Sequence, residues 1–256
     1  MPADRSDNKG RKLDRIEVLR AEGSRKARWA LLLLLDDHDW GTRERALQAL
    51  WALGGKEARL AARAGLSDPS ECVRSTAAEA LADVGLKRDL GPLRHAAVED
   101  PVWIVRASAA SALAGLGGRR SAPLLRRLVA GDQHPAVRRY AAVGLADIGD
   151  VESVPVLRER LSREQESSAL SGILHALYAL VGSEYLDAFV ALLGDDDYMV
   201  RIHAVSGLGE LARPMDRPRV AEAIRRLWAS DGHPAVRETA TAALRALAQA
   251  DAVGDQ

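Results

Sequence analysis

Six side chains in the second half of the chain stand at spacings that could place them together: Tyr140, Asp147, His175, Tyr178, His203 and Glu210. Glu210 follows His203 by two helical turns, which sets both on one helix face. Two histidines and two carboxylates raise the question of a metal. His175 and His203 are 28 residues apart and no His-Glu dipeptide occurs anywhere, so no ligand spacing supports one. The remaining chemistry is recognition, with tyrosine, imidazole and carboxylate groups offered to a partner. The expectation is a binding site with no catalytic residue, metal or cofactor.

What positions these groups is a repeat. Asp-Pro, three residues and Val-Arg (68–74 and 100–106), or His-Pro-Ala-Val-Arg (134–138 and 233–237), followed by an Ala/Leu-rich run and a glycine, returns along the chain, with arginines at 74, 106 and 138, a step of 32, and again at 201 and 237. A fixed period of this size means stacked supersecondary units, none of which can bury its apolar face alone. Within one unit Val73, Ala77, Ala80, Leu81 and Val84 form a helical stripe, repeated by Val105, Ala109, Ala112, Leu113, Leu116 and by Val137, Ala141, Gly144, Leu145, Ile148. A first helix opens on Pro92-Leu93, Pro123-Leu124 or Pro155-Val156-Leu157, where proline forfeits no hydrogen bond. The fold class is all-α, an α-α superhelix of about seven antiparallel helix pairs, right-handed and curved. The fifth pair carries Leu170 in place of the arginine, and the step from 201 to 237 implies an insertion over Arg213-Pro214-Met215-Asp216-Arg217-Pro218.

Residues 1–10 are expected to be a disordered leader, 11–249 a single solenoid with 11–23 as its N-terminal capping helix, and 250–256 a disordered tail. Ser24 is read as the cap of the next helix. Positions two, five and nine beyond each repeat arginine avoid the packed stripe and should face the inner groove. The six side chains named above gather across units four to six, where the repeat pattern is broken at Leu170, and broken rules concentrate at functional sites. Trp40, Trp103 and Tyr198 each stand three residues before a repeat arginine and form an aromatic edge suited to anchoring a partner. Trp29, Trp51 and Trp228 are read as core.

Composition narrows the classes. Hydrophobic residues make up 47%, enough for a continuous core, and only 4% are aromatic, so that core is aliphatic. Lysine plus arginine and aspartate plus glutamate both number 36, which removes the general electrostatic basis for nucleic-acid or acidic-membrane binding. Nucleic acid is therefore an unfavoured partner, although residues 1–28 hold nine basic and five acidic side chains. Arg126, Arg127, Arg225 and Arg226 fall on first helices and are expected to solvate the outer face. A single cysteine, Cys72, excludes an intrachain disulfide. No apolar run is long enough to span a bilayer, so a cytoplasmic, monomeric protein is expected.

Asp-Pro, three residues and Val-Arg, then Ala-Ala-x-Ala-Leu and Gly, together resemble the HEAT repeat, in the short form of bacterial phycobilisome lyases, over roughly residues 24–249. In that family a turn aspartate and a second-helix arginine form a ladder between units. The resemblance implies such a ladder from Asp68, Asp100 and Asp132 with Arg74, Arg106 and Arg138, and it extends to Arg201 and Arg237. It implies a structural role for these arginines. Family members serve as scaffolds, bilin lyases, hydroxylases and alkylpurine glycosylases. The reading adopted is a protein-binding scaffold, not an enzyme. The alternatives are a binder of a bilin-type chromophore and a nucleic-acid binder of the glycosylase type.

Overall fold

The computed structural model describes residues 3–254, with side chains described for residues 10–251. Every α-helix belongs to one of two compact units that divide between Ser121 and Ala122. The first unit holds α1 (Ala3–Glu22), α2 (Arg25–Leu33), α3 (Trp40–Leu53), α4 (Gly55–Gly65), α5 (Glu71–Val84), α6 (Leu90–Glu99) and α7 (Trp103–Gly117). The second holds α8 (Ala122–Gly131), α9 (Pro135–Asp147), α10 (Val154–Leu161), α11 (Ser167–Leu180), α12 (Leu186–Ala191), α13 (Tyr198–Leu211), α14 (Arg217–Ser230) and α15 (Pro234–Gly254). From α2 onward, even-numbered first helices pair with odd-numbered second helices, which gives the seven expected pairs. No strand occurs among the described residues.

Local chemistry places the boundaries. Ser24 caps α2 as expected, its hydroxyl accepting from the Ala27 N–H at 3.0 Å. Asp39 caps α3 through Thr42 N–H, and Asp197 caps α13 through Met199 N–H. The break before α2 falls at Gly23, whose φ of 60° lies in the left-handed region that glycine enters without penalty.

Each second helix buries the stripe read from the sequence. Leu81, Leu113 and Leu145 are 0% exposed, surrounded by buried alanines. Alanine at these positions lets neighbouring second helices lie close, so α5 packs on α3 and α7 in the first unit, and α11 packs on α9 and α13 in the second. Burying one leucine fully is worth roughly 1.5–3 kcal/mol, and the stripe repeats this in every pair.

Two expectations about the chain ends need correction. Residues 1–10 are not a disordered leader over the described part, because α1 begins at Ala3. Likewise α15 continues to Gly254, through most of the expected tail. Once Ile16 is buried and anchors its helix, each further residue adds a hydrogen bond without paying for a new nucleus. Helix therefore propagates outward through polar sequence.

Candidate functional site

Arginines dominate the polar framework. Arg43 grips Asp68 with Nε and Nη2 at 2.8 and 2.7 Å, and Arg74 grips Asp100 at 2.7 and 3.1 Å. Each also donates through Nη1 to carbonyls of its own turn, as Arg74 does to Asp68 and Pro69. In the second unit Arg201 holds Asp231 the same way, and Arg138 holds Glu164 at 2.7 and 2.8 Å. Arg43, Arg74, Arg138 and Arg201 thus each reach the acid of the following turn, rather than the acid of their own turn. Arg106 donates to the Asp100 carbonyl, and Arg237 to that of Asp231. Glu164 is the member that sequence reading missed, since it follows no Asp-Pro pattern. Paired with Arg138 and Arg160, it is held down to about 2 despite burial that alone would raise it.

A second ladder runs along the first helices. Arg28 donates to the Leu53 and Gly54 carbonyls, Arg63 to Asp89, Arg94 to the Arg120 carbonyl, Arg126 to Asp150 and Arg158 to Glu184. Arg59 adds a buried contact to Asp89. Arg126 therefore does more than solvate the outer face. Bidentate pairing of this kind is geometrically specific and stronger than a neutral hydrogen bond.

Between α9, α11 and α13 lies a cavity of about 230 Å³. Tyr140, His175, His203 and Glu210 line it, as the offsets from the repeat arginines foresaw. Gly207 lies where a Cβ would press on His175 and Phe189, at 2.7 and 2.8 Å, so its bare backbone leaves room for both rings. His175 meets Phe189 edge-on, with ring centroids 6.2 Å apart. Asp147 sits near Glu210, and partial burial together with that like charge raises its pKa.

Arg139 is the wall residue that the sequence reading overlooked. Its stem crosses α11 at Gly172, where a Cβ would stand 2.6 Å from the Arg139 carbonyl oxygen. The guanidinium lies against the His203 ring on α13, its Nη1 touching both ring nitrogens, and its carbon lies 4.4 Å from the Tyr140 ring centroid. A cation–π contact contributes about 0.5–1 kcal/mol at an exposed site. Burial, followed by the Arg139 charge, pushes His203 down to about 4, so its ring is neutral near pH 7. Burial lowers Arg139 as well, with the Tyr140 contacts and the more distant Asp197 charge opposing. The visible signal was an Arg138-Arg139 pair facing glycine one repeat later.

Tyr178 does not belong to this wall. It is 1% exposed and its hydroxyl donates to Asp216 at 2.8 Å, inside the insertion between α13 and α14. Burial and that carboxylate push its pKa up to about 12. Ser183 donates to the same Asp216 oxygen at 2.7 Å, so the insertion is fastened to the end of α11 and the turn after it. Of the aromatic edge, Trp40, Trp103 and Tyr198 each open a second helix and remain partly exposed, and Tyr198 stacks on His233 with centroids 4.0 Å apart. Trp29 and Trp228, expected in the core, are 60% and 48% exposed. Trp51 is half-buried and donates to Asp83 at 2.9 Å.

The HEAT-repeat family profile matches residues 27–114, 106–178 and 179–253. The chain is a HEAT-repeat protein. No curated protein matches it significantly. Among solved structures this HEAT-repeat protein is similar to the complex of CpcE and CpcF of phycocyanin lyase from Nostoc sp., at 20% identity and a TM-score of 0.59. That match covers 85% of this chain and 93% of the other. It is also similar to the Escherichia coli protein YibA, at 22% identity and a TM-score of 0.52, covering 85% and 91%. At these identities the likeness concerns the fold. Among the described residues of this HEAT-repeat protein, no helix is long and apolar enough to cross a membrane.

Proposed function

We propose that this chain is a non-catalytic scaffold that captures a partner protein on the exposed face of its second helices, with the α9–α11–α13 cavity as the principal anchor. The observation that carries the reading is the cavity's size and lining. A volume of about 230 Å³ falls below the range of roughly 300–1,000 Å³ typical of small-molecule sites. It suits one inserted side chain, with Tyr140 standing partly exposed at its rim. Rigid helices present this surface ready-formed, so little ordering entropy is lost when a partner docks.

The test is random-peptide display against the whole protein, followed by affinity measurement on the enriched peptides. Tyr140→Ala combined with His203→Ala is expected to weaken binding at least ten-fold while helicity by circular dichroism is unchanged. Peptides that bind the double variant as tightly as the native chain would place the anchor elsewhere. Visible absorbance that stays with the protein through gel filtration after incubation with a linear tetrapyrrole would favour the chromophore reading instead.

A further inference from the structure

The arginines of both ladders meet carboxylates or backbone carbonyls. Arg139 departs from that pattern. Its described partners are a neutral imidazole and a phenol ring, and its Nε is buried without an acceptor. Tyr140 also hydrogen-bonds its side chain, and the Asp197 carboxylate acts on it only through its charge. A cation drawn out of water with only a distant counter-charge is unfavourable unless something supplies a closer one. Arg139 also lines the cavity, so its charge faces the space an incoming group would enter.

We propose that the α9–α11–α13 cavity receives the carboxylate of an aspartate or glutamate side chain of the partner, seated on Arg139. The proposal rests on the scaffold reading and names the chemistry of its anchor. A planar guanidinium matches a carboxylate with two parallel hydrogen bonds, a fork that lysine cannot reproduce. His203 flanks the guanidinium without adding or cancelling charge. The partner carboxylate forms the stronger, charge-assisted bond and supplies the missing anion. Glu210 lies two turns along α13 from His203, roughly 10 Å of helix rise, about one Debye length at physiological salt. Glu210 lines the same cavity, so its repulsion favours seating the incoming anion at the Arg139 end. Tyr140 covers the guanidinium from the side and limits its exchange with water.

A double-mutant cycle on displayed peptides tests this. Peptides enriched on the native protein are expected to share an acidic residue whose change to Asn or Gln weakens binding at least ten-fold. Against Arg139→Gln the same peptide change should alter affinity less than two-fold, and Arg139→Lys should retain part of the preference. If groove-dependent peptides carry no shared acid, or lose affinity only when their C-terminus is amidated, the side-chain carboxylate is refuted and the scaffold reading stands. If no peptide depends on Tyr140 and His203, both fall together. Thermal melts of the Arg139 variants show whether a loss reflects misfolding, and a folded Arg139→Lys that ignores peptide charge would overturn the proposal.

Discussion

At Glu164 a glutamate occupies the ladder position that aspartate holds at 68, 100 and 231, and its extra methylene reaches Arg138 and Arg160 together. Its side chain is 2% exposed, so the pair is shielded from solvent screening. A carboxyl moved from 4.5 to about 2 is more acidic in the folded chain than in the unfolded one. Its stabilisation is fully present above about pH 4.5 and is lost as pH falls toward 2, amounting to roughly 3 kcal/mol. His203 is also depressed, from 6.5 to about 4, so its neutral burial favours folding above pH 6.5 and weakens as pH falls toward 4. Urea unfolding at stepped pH should therefore show two separable losses. Glu164→Gln should flatten the lower window and His203→Gln the upper one; unchanged pH slopes in both variants would contradict these assignments. Neither residue's role was visible from the repeat pattern alone. Burial of a single ring or carboxylate is decided by the neighbouring pair, and an offset within one unit does not report it.

Helix approach is set by small residues, and the glycines differ sharply in what surrounds them. At Gly172 a Cβ would meet the Arg139 backbone and Cγ within 2.8 Å, whereas at Gly115 nothing lies within 4 Å. Gly172→Ala should cost about 1–3 kcal/mol by pushing α11 from α9. Gly115→Ala, in an open helical position, should instead stabilise by up to about 1 kcal/mol. Chemical denaturation of the two variants checks the contrast, and equal effects would show that α9 and α11 are not held at this distance. The helices themselves were legible because the Val, Ala and Leu stripe has one period and one burial pattern. Trp29 and Trp228 misled because periodicity marks the border of a stripe without saying whether a neighbouring helix covers it. Tyr178 misled for a related reason: its partner Asp216 is 38 residues away, in an insertion that breaks the period.

Across the whole chain, positive and negative charges balance at zero net charge, and the arginines of both ladders are largely committed to internal partners. Phosphate binding draws on clustered cations that are free to release counterions. Duplex DNA titrated at low salt should accordingly show no saturable binding, and a steeply salt-dependent complex would revive the nucleic-acid alternative. The fold class could be read from sequence because every repeat states it again. The candidate site was half legible: counting offsets from the repeat arginines found Tyr140, His175, His203 and Glu210. Arg139 escaped because it stands next to a ladder arginine and looks like part of it.

The ladder also has a polarity. Arg201 depends on Asp231, contributed by the stretch after it, while Asp68 serves Arg43, which precedes it. Trimming a repeat from the C-terminal side takes the anion from a shielded arginine, and trimming from the N-terminal side takes the cation from an equally shielded carboxylate. Shortening such an array from either end therefore breaks a charge pair at the new terminus.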